Sequence, residues 1–118
     1  MKEIKIEGSA VADFVDNMKN NLPNGWSFLG MKNDETHSVS SDAKFYYFGL
    51  AGTDLRFDFV FNRSENLLQL TNITHTETKE IISPKENDAL VDKIYNEVIA
   101  PLHRSENIEI HIIQQGEQ

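Results

Sequence analysis

The sequence predicts an α+β fold: a single domain over residues 1–118, with two helices packed on one face of an antiparallel sheet of five to six strands. The middle of the chain, from Lys44 to His75, has the two-residue apolar period of three successive strands. Two further segments carry apolar stripes at helical spacing. The expected element order is strand, helix, four strands, helix, strand.

The central strands can be placed in register from their turns. In residues 54–62 the odd positions are apolar, namely Leu55, Phe57, Phe59 and Phe61. A two-residue hairpin at 51–54 with glycine first, as in a type II′ turn, pairs Phe48 with Phe57 on the dry face and Tyr47 with Asp58 on the wet face. After Leu70 the apolar parity switches, which predicts a β-bulge near residues 71–72.

The first helix is predicted to begin after Ser9, whose hydroxyl can cap free backbone N–H groups. The second is marked by a capping box, with Ser83 as N-cap, Pro84 at the first helical position and Glu86 in the first turn. Pro101 is expected to end or kink this helix around residues 96–100. A short first strand at 2–7, a second at 26–31 and a last one near 108–112 complete the sheet, and the polar segment 33–43 predicts a loop.

Charge and composition limit the functions that the chain can have. The net charge is −8 and the pI is near 4.8, which disfavours direct binding of nucleic acid and favours encounter with a basic protein surface. The chain has no cysteine, so disulfides and thiolate chemistry are excluded. It shows neither a signal-peptide pattern nor an apolar run long enough for a membrane span, so we expect a cytoplasmic protein with no membrane attachment.

The sequence predicts no catalytic residue, no cofactor and no metal ligand. The four histidines, His37, His75, His103 and His111, are scattered one to a segment. Glu109 and His111 share a strand face, but a metal site needs three or four converging donors, usually with two at short spacing. Solvated polar groups on strands are far commoner than metal sites. The sequence has no recognisable reactive constellation, so we do not expect an enzyme.

The wet face of the sheet is the predicted partner-binding surface. Tyr47, Arg56, Asp58 and Gln69 should lie in a row there, and a mixture of an aromatic ring, an arginine and polar groups is typical of interaction hot spots. The acidic side chains of the second helix should add electrostatic steering. They are Asp88, Asp92 and Glu97.

Three functions remain open. The leading hypothesis is a small acidic module that docks on a protein partner, by analogy with immunity proteins, antitoxins, secretion chaperones and phage-encoded inhibitors. The second is a small-ligand-binding or catalytic domain with a pocket between sheet and helices, lined by Trp26, Tyr46, Tyr95 or His111. The third is an oligomerisation module, such as a homodimer, that uses an exposed strand edge.

Overall fold

A computed structural model describes residues 1–33, 43–104 and 107–114. The predicted α+β class and element order are confirmed. The elements in chain order are β1 (Lys2–Glu7), α1 (Val11–Asn20), β2 (Trp26–Asn33), β3 (Ala43–Leu50), β4 (Leu55–Asn62), β5 (Leu67–His75), α2 (Pro84–Ile94) and β6 (Glu109–Gln114). The predicted loop at 33–43 lies almost wholly outside the described residues.

The six strands form one sheet in the order β2-β3-β4-β5-β1-β6, with every neighbouring pair antiparallel. Helix α1 connects β1 to β2 across three intervening strands, and α2 connects β5 to β6 across β1. The two crossovers start from β1 and β5, which run in opposite directions. The first crossover leads toward the β2 edge of the sheet and the second toward the β6 edge. If both have the usual right-handed sense, both helices lie over the same face, as they do here.

The register predicted for the central strands is confirmed. Phe48 lies opposite Phe57, and Tyr47 lies opposite Asp58. The predicted bulge is also present, because β5 shifts register between its pairings with Asp58 and Phe59, which leaves Thr71 as the extra residue. The register is confirmed but the type II′ turn is not, because the N–H of Thr53 donates to the carbonyl of Leu50 and so makes Gly52 the second central residue rather than the first.

The helix-covered face of the sheet is the core. Strand residues on this face and the apolar stripes of both helices form one buried cluster, in which Phe57, Phe59, Ile4, Ile6, Ile94 and Val98 are fully buried. Trp26 packs edge-on against Phe57 with 5.1 Å between ring centroids. Burial of a large apolar side chain contributes about 1.5–3 kcal/mol, so this face supplies most of the driving force for folding.

The predicted cap of α1 is wrong. The helix begins at Val11, its N-cap is Ala10, and no side chain caps it. The turn before it is instead held by backbone contacts: the N–H of Ala10 donates to the carbonyl of Asn107. Gly8 has φ +135°, and a Cβ there would overlap that same carbonyl. The close approach of residue 107 therefore sets the helix start, which local sequence could not reveal.

The predicted cap of α2 is confirmed, since Ser83 Oγ accepts a hydrogen bond of 3.1 Å from the N–H of Glu86. Pro101 does not end the helix, but regular α-helical geometry is interrupted over most of the predicted residues 96–100. A π-helical turn at Tyr95–Ile99 precedes the proline, and one further helical turn covers Ala100–Leu102. The N–H of Ala100 donates to the carbonyl of Tyr95 five residues earlier, and this wider turn accommodates a proline that cannot donate to the helix.

Candidate functional site

The second face of the sheet, which we call the open face, is covered by no helix within the described part of the chain. Its side chains follow from the strand register. They include Glu3, Lys5 and Glu7 on β1, Gln69 on β5, Arg56, Asp58 and Val60 on β4, Phe45, Tyr47 and Gly49 on β3, and Glu109, His111 and Ile113 on β6. The open face is therefore aromatic toward β3 and acidic toward β1 and β6.

Three of the predicted partner-binding residues meet at the aromatic end. Arg56 donates from Nε and Nη2 to the two carboxylate oxygens of Asp58, at 2.7 and 2.9 Å. Its guanidinium also lies over the ring of Tyr47, 4.4 Å from the centroid. Phe45 stacks parallel to Tyr47 with 6.2 Å between centroids. We call these four residues the open-face cluster.

Asp58 departs from the expectation of a wet strand position. It is only 6% exposed although it lies on the open face. Burial raises the pKa of its carboxyl, and the hydrogen bonds and charge of Arg56 partly offset that rise. The carboxylate is therefore a buried anchor for Arg56, whose own side chain is 37% exposed. Of the pair, only the guanidinium is available to a partner.

The bulge in β5 lies directly beside this anchor. Thr71, the extra residue, donates from its hydroxyl to the carbonyl of Asp58 at 3.2 Å. A bulge bends its strand and re-aims the neighbouring side chains. Gln69, the fourth predicted residue, lies half-buried on the same face opposite Val60. It shares the surface with the open-face cluster but makes none of the contacts that define it.

The three predicted helix acids lie on the opposite side of the molecule, and each makes contacts within the chain. Asp88 accepts a hydrogen bond of 2.6 Å from the backbone N–H of Lys2, and Asp92 pairs with the Lys2 ammonium at 2.9 Å. Glu97 accepts from Trp26 Nε1 at 3.0 Å and pairs with Lys93. These acids attach α2 to the sheet at β1 and at β2, so they do not form one surface with the open-face cluster.

These contacts also perturb two of the carboxyl groups. The hydrogen bond from the Lys2 backbone lowers the pKa of Asp88 below its usual value. Lys93, followed by the Trp26 indole, does the same for Glu97. Both acids are therefore held in the ionised form by neighbours within the fold.

A second polar cluster joins residues that the sequence analysis did not connect. Asp54, in the β3–β4 turn, lies 2.6 Å from His75 Nδ1 at the end of β5, and its other oxygen accepts from the N–H groups of Glu77 and Thr78. Glu86 of α2 lies 3.6 Å from His75 Nε2. Asp54 and His75 are 21 positions apart, and only the strand pairing of Leu55 with His75 brings them together.

The contacts of this second cluster stabilise charge on both partners. The hydrogen bond to Asp54 raises the pKa of His75, with smaller contributions from the charges of Asp54 and Glu86. The same bond, together with the backbone donors, lowers the pKa of Asp54 far below its usual range. When His75 is protonated, the arrangement is an ion pair that holds the segment after β5 against the β3–β4 turn.

Two cavities between the layers are small. One of about 170 Å³ lies between α1, Leu102 and Ile108, and one of about 110 Å³ lies between β1, β5 and Val91. Pockets for small molecules usually measure about 300–1,000 Å³. Neither of these two cavities is lined by the residues expected for a ligand pocket, which were Trp26, Tyr46, Tyr95 and His111.

Two larger depressions lie at the surface near the second cluster. An open groove of about 380 Å³ is bordered by Arg56, His75 and Lys79, and one of about 310 Å³ by Leu29, Gly49 and Asp54. Arg56 therefore belongs both to the open-face cluster and to the rim of a groove, which extends the surface a partner could contact.

The strand edges are β2 and β6. β2 has a register shift at Leu29–Gly30, and such irregularities discourage pairing with another sheet. The oligomerisation hypothesis therefore concerns β6, where Ile112 is 40% exposed. It stays a prediction.

Comparison with protein-family models, with curated proteins and with solved structures finds no match to this chain. Among the described helices, none has the length and apolar character that a bilayer-spanning segment requires.

Proposed function

We propose that this protein is a non-enzymatic, cytoplasmic binding module that docks the open face of its sheet onto a protein partner. The observation that carries the proposal is the open-face cluster, in which an arginine is held by a buried carboxylate and lies on an aromatic ring. Tyrosine and arginine are enriched among the residues that dominate binding energies.

The cluster is suited to binding because its side chains are already ordered. Association normally costs about 0.5–1.5 kcal/mol for each flexible side chain that becomes fixed. Arg56 is held by two hydrogen bonds to Asp58 and by the ring of Tyr47. Most of this loss of side-chain freedom therefore occurs when the chain folds, and a partner would contact side chains that are already fixed.

The charge distribution favours a partner with a basic rim. The β1–β6 end of the open face carries Glu3, Glu7 and Glu109 against a single Lys5, in a chain with a net charge of −8. Such a surface raises the rate of encounter with a basic protein. The long-range field also includes the three acids on the helix side, Asp88, Asp92 and Glu97. We propose them as contact residues of second rank, after the open-face cluster.

The class of partner is proposed by analogy. An acidic surface that docks on a basic protein is the arrangement used by immunity proteins, antitoxins and inhibitors of nucleases. The alternative, a ligand pocket between sheet and helices, has less support because the two interlayer cavities described above are smaller than ordinary ligand sites.

Site-specific photo-crosslinking in the native cytosol tests the proposal. A benzophenone amino acid is placed at Val60 on the open face, and at the exposed Asn20 on α1 as the matched control. We expect one crosslinked protein from position 60 and none from position 20. Tyr47→Ala, introduced into the position-60 protein, should abolish the product while leaving the fold intact by circular dichroism.

Salt dependence tests the electrostatic part separately. Association with the captured partner should slow as ionic strength rises to about 0.5 M, where the Debye length falls to about 4 Å. Dissociation should change less, because short-range packing governs it. Equal crosslinking from both positions, or a product that survives Tyr47→Ala, would contradict the proposed surface.

A further inference from the structure

The acidic end of the open face brings together three side chains that can bind metal. Glu7 of β1 lies directly opposite Glu109 of β6, and His111 lies two residues further along the same face of β6. One ligand atom from each lies within 4.8 Å of the others. These side chains are between 44% and 75% exposed, so an ion can reach them without any opening of the fold.

The distances suit a small transition-metal ion. His111 Nε2 lies 3.5 Å from Glu109 Oε2, and two ligands of a tetrahedral zinc with bonds of about 2.1 Å are separated by about 3.4 Å. The third ligand atom, from the exposed Glu7 side chain, lies within 4.8 Å of the other two. The register of a rigid strand pair fixes all three backbone positions, as an effective metal site requires.

The electrostatics of the strand pair also favour a cation. Like charges directly opposite one another across two strands are destabilising, and Glu7 faces Glu109 in this way. Lys5 offsets part of that repulsion, with its ammonium 3.6 Å from Glu7 Oε2. Lys5 is therefore the natural competitor of a metal ion for the same carboxylate.

We propose that Glu7, Glu109 and His111 form a surface site for a divalent transition-metal ion of the zinc type. An imidazole together with two carboxylates suits zinc better than magnesium or calcium, which prefer oxygen ligands alone. The ion would link β6 to β1, its neighbour in the sheet among the described strands. The proposal goes beyond docking: the site lies at the acidic end of the open face, and none of its ligands belongs to the open-face cluster.

Calorimetric titration of the full chain with zinc, repeated with magnesium, tests the proposal. We expect saturable binding of one zinc ion and no saturable binding of magnesium. Glu109→Gln and His111→Ala should each weaken zinc binding at least about tenfold, since even the outer-shell partners of a metal are worth that much. Lys5→Met should tighten it, because the competing ammonium is removed.

Two matched controls make the result specific. Glu3→Gln changes the net charge as Glu109→Gln does, and His103→Ala removes an imidazole elsewhere on the surface. Both should bind zinc as the unaltered protein does. The absence of saturable zinc binding, or an equal loss in the control variants, would overturn the site. Far-ultraviolet circular dichroism of each variant separates lost ligation from lost folding.

Discussion

The two faces of the sheet are built from the same strands but bury different kinds of side chain. On the helix-covered face, Phe57 and Phe59 are fully buried among apolar neighbours. On the open face, one position over, Asp58 is also buried, but beneath an arginine and beside an aromatic ring. The first face obtains its stability from apolar packing. The second retains a buried ion pair whose net contribution to stability is small, because the cost of desolvation offsets most of the pairing energy.

The difference teaches where to look for function in a chain of this kind. A buried ion pair is weak evidence for stability, since apolar side chains of similar volume often serve as well or better. Its presence on the face that no described helix covers is more readily explained by the exposed group that it orients. Arg56 is that group.

The largest effect expected is on the helix-covered face. Phe57→Ala should lower the free energy of unfolding by about 3–5 kcal/mol, because it removes buried apolar contacts and leaves a cavity beside Trp26. Phe45→Ala on the open face is the matched control. It should cost less than about 1.5 kcal/mol, since that ring is only half-buried. Urea denaturation measures both, and equal losses would show that the two faces do not differ in this way.

An intermediate effect is expected at the buried ion pair. Arg56→Ala should lower the free energy of unfolding by about 1–3 kcal/mol, because it leaves the Asp58 carboxylate buried without its partner. The double variant Arg56→Met with Asp58→Leu should recover most of that loss while weakening partner capture. A double variant no more stable than Arg56→Ala would mean that the pair itself stabilises the fold.

The smallest effect is expected at the contact between His75 and Asp54, and it depends on pH. The pKa of His75 is raised above 6.5 in the folded chain, so its stabilising contribution is complete below that value and is lost as the pH rises through the folded pKa. His75→Gln should therefore lower the melting temperature more at about pH 6 than at about pH 9. Thermal melts at the two pH values measure this difference.

The Asp54→Asn background provides the control for that pH dependence. Without the Asp54 carboxylate, most of the interaction that raises the pKa of His75 is gone. The difference between histidine and glutamine at position 75 should then vary much less with pH. A gap that is the same at both pH values in the unaltered background would contradict the ion pair of Asp54 with His75.

Much of the fold could be predicted because its signals are local. The alternation in β4, the register of the hairpins and the Ser83 cap each depend on residues within a few positions of one another, and all three are confirmed. The parity of the strands also placed Tyr47, Arg56 and Asp58 on one face. The Ser9 cap of α1 was wrong, because the turn before that helix is held by the carbonyl of Asn107, almost a hundred residues away.

The sequence by itself determined the elements, their register and the side of the sheet on which each side chain lies, because turn length and apolar period act over short distances. Only the tertiary structure decided how those side chains are used. It buried Asp58 under Arg56, joined Asp54 to His75, and engaged Asp88 and Asp92 with Lys2. It also set Glu7 beside Glu109 and His111. Apart from the Arg56–Asp58 pair within β4, these pairings join residues of different elements. The physical reason that sequence cannot show them is that charge and hydrogen bonding depend on distance in space rather than along the chain.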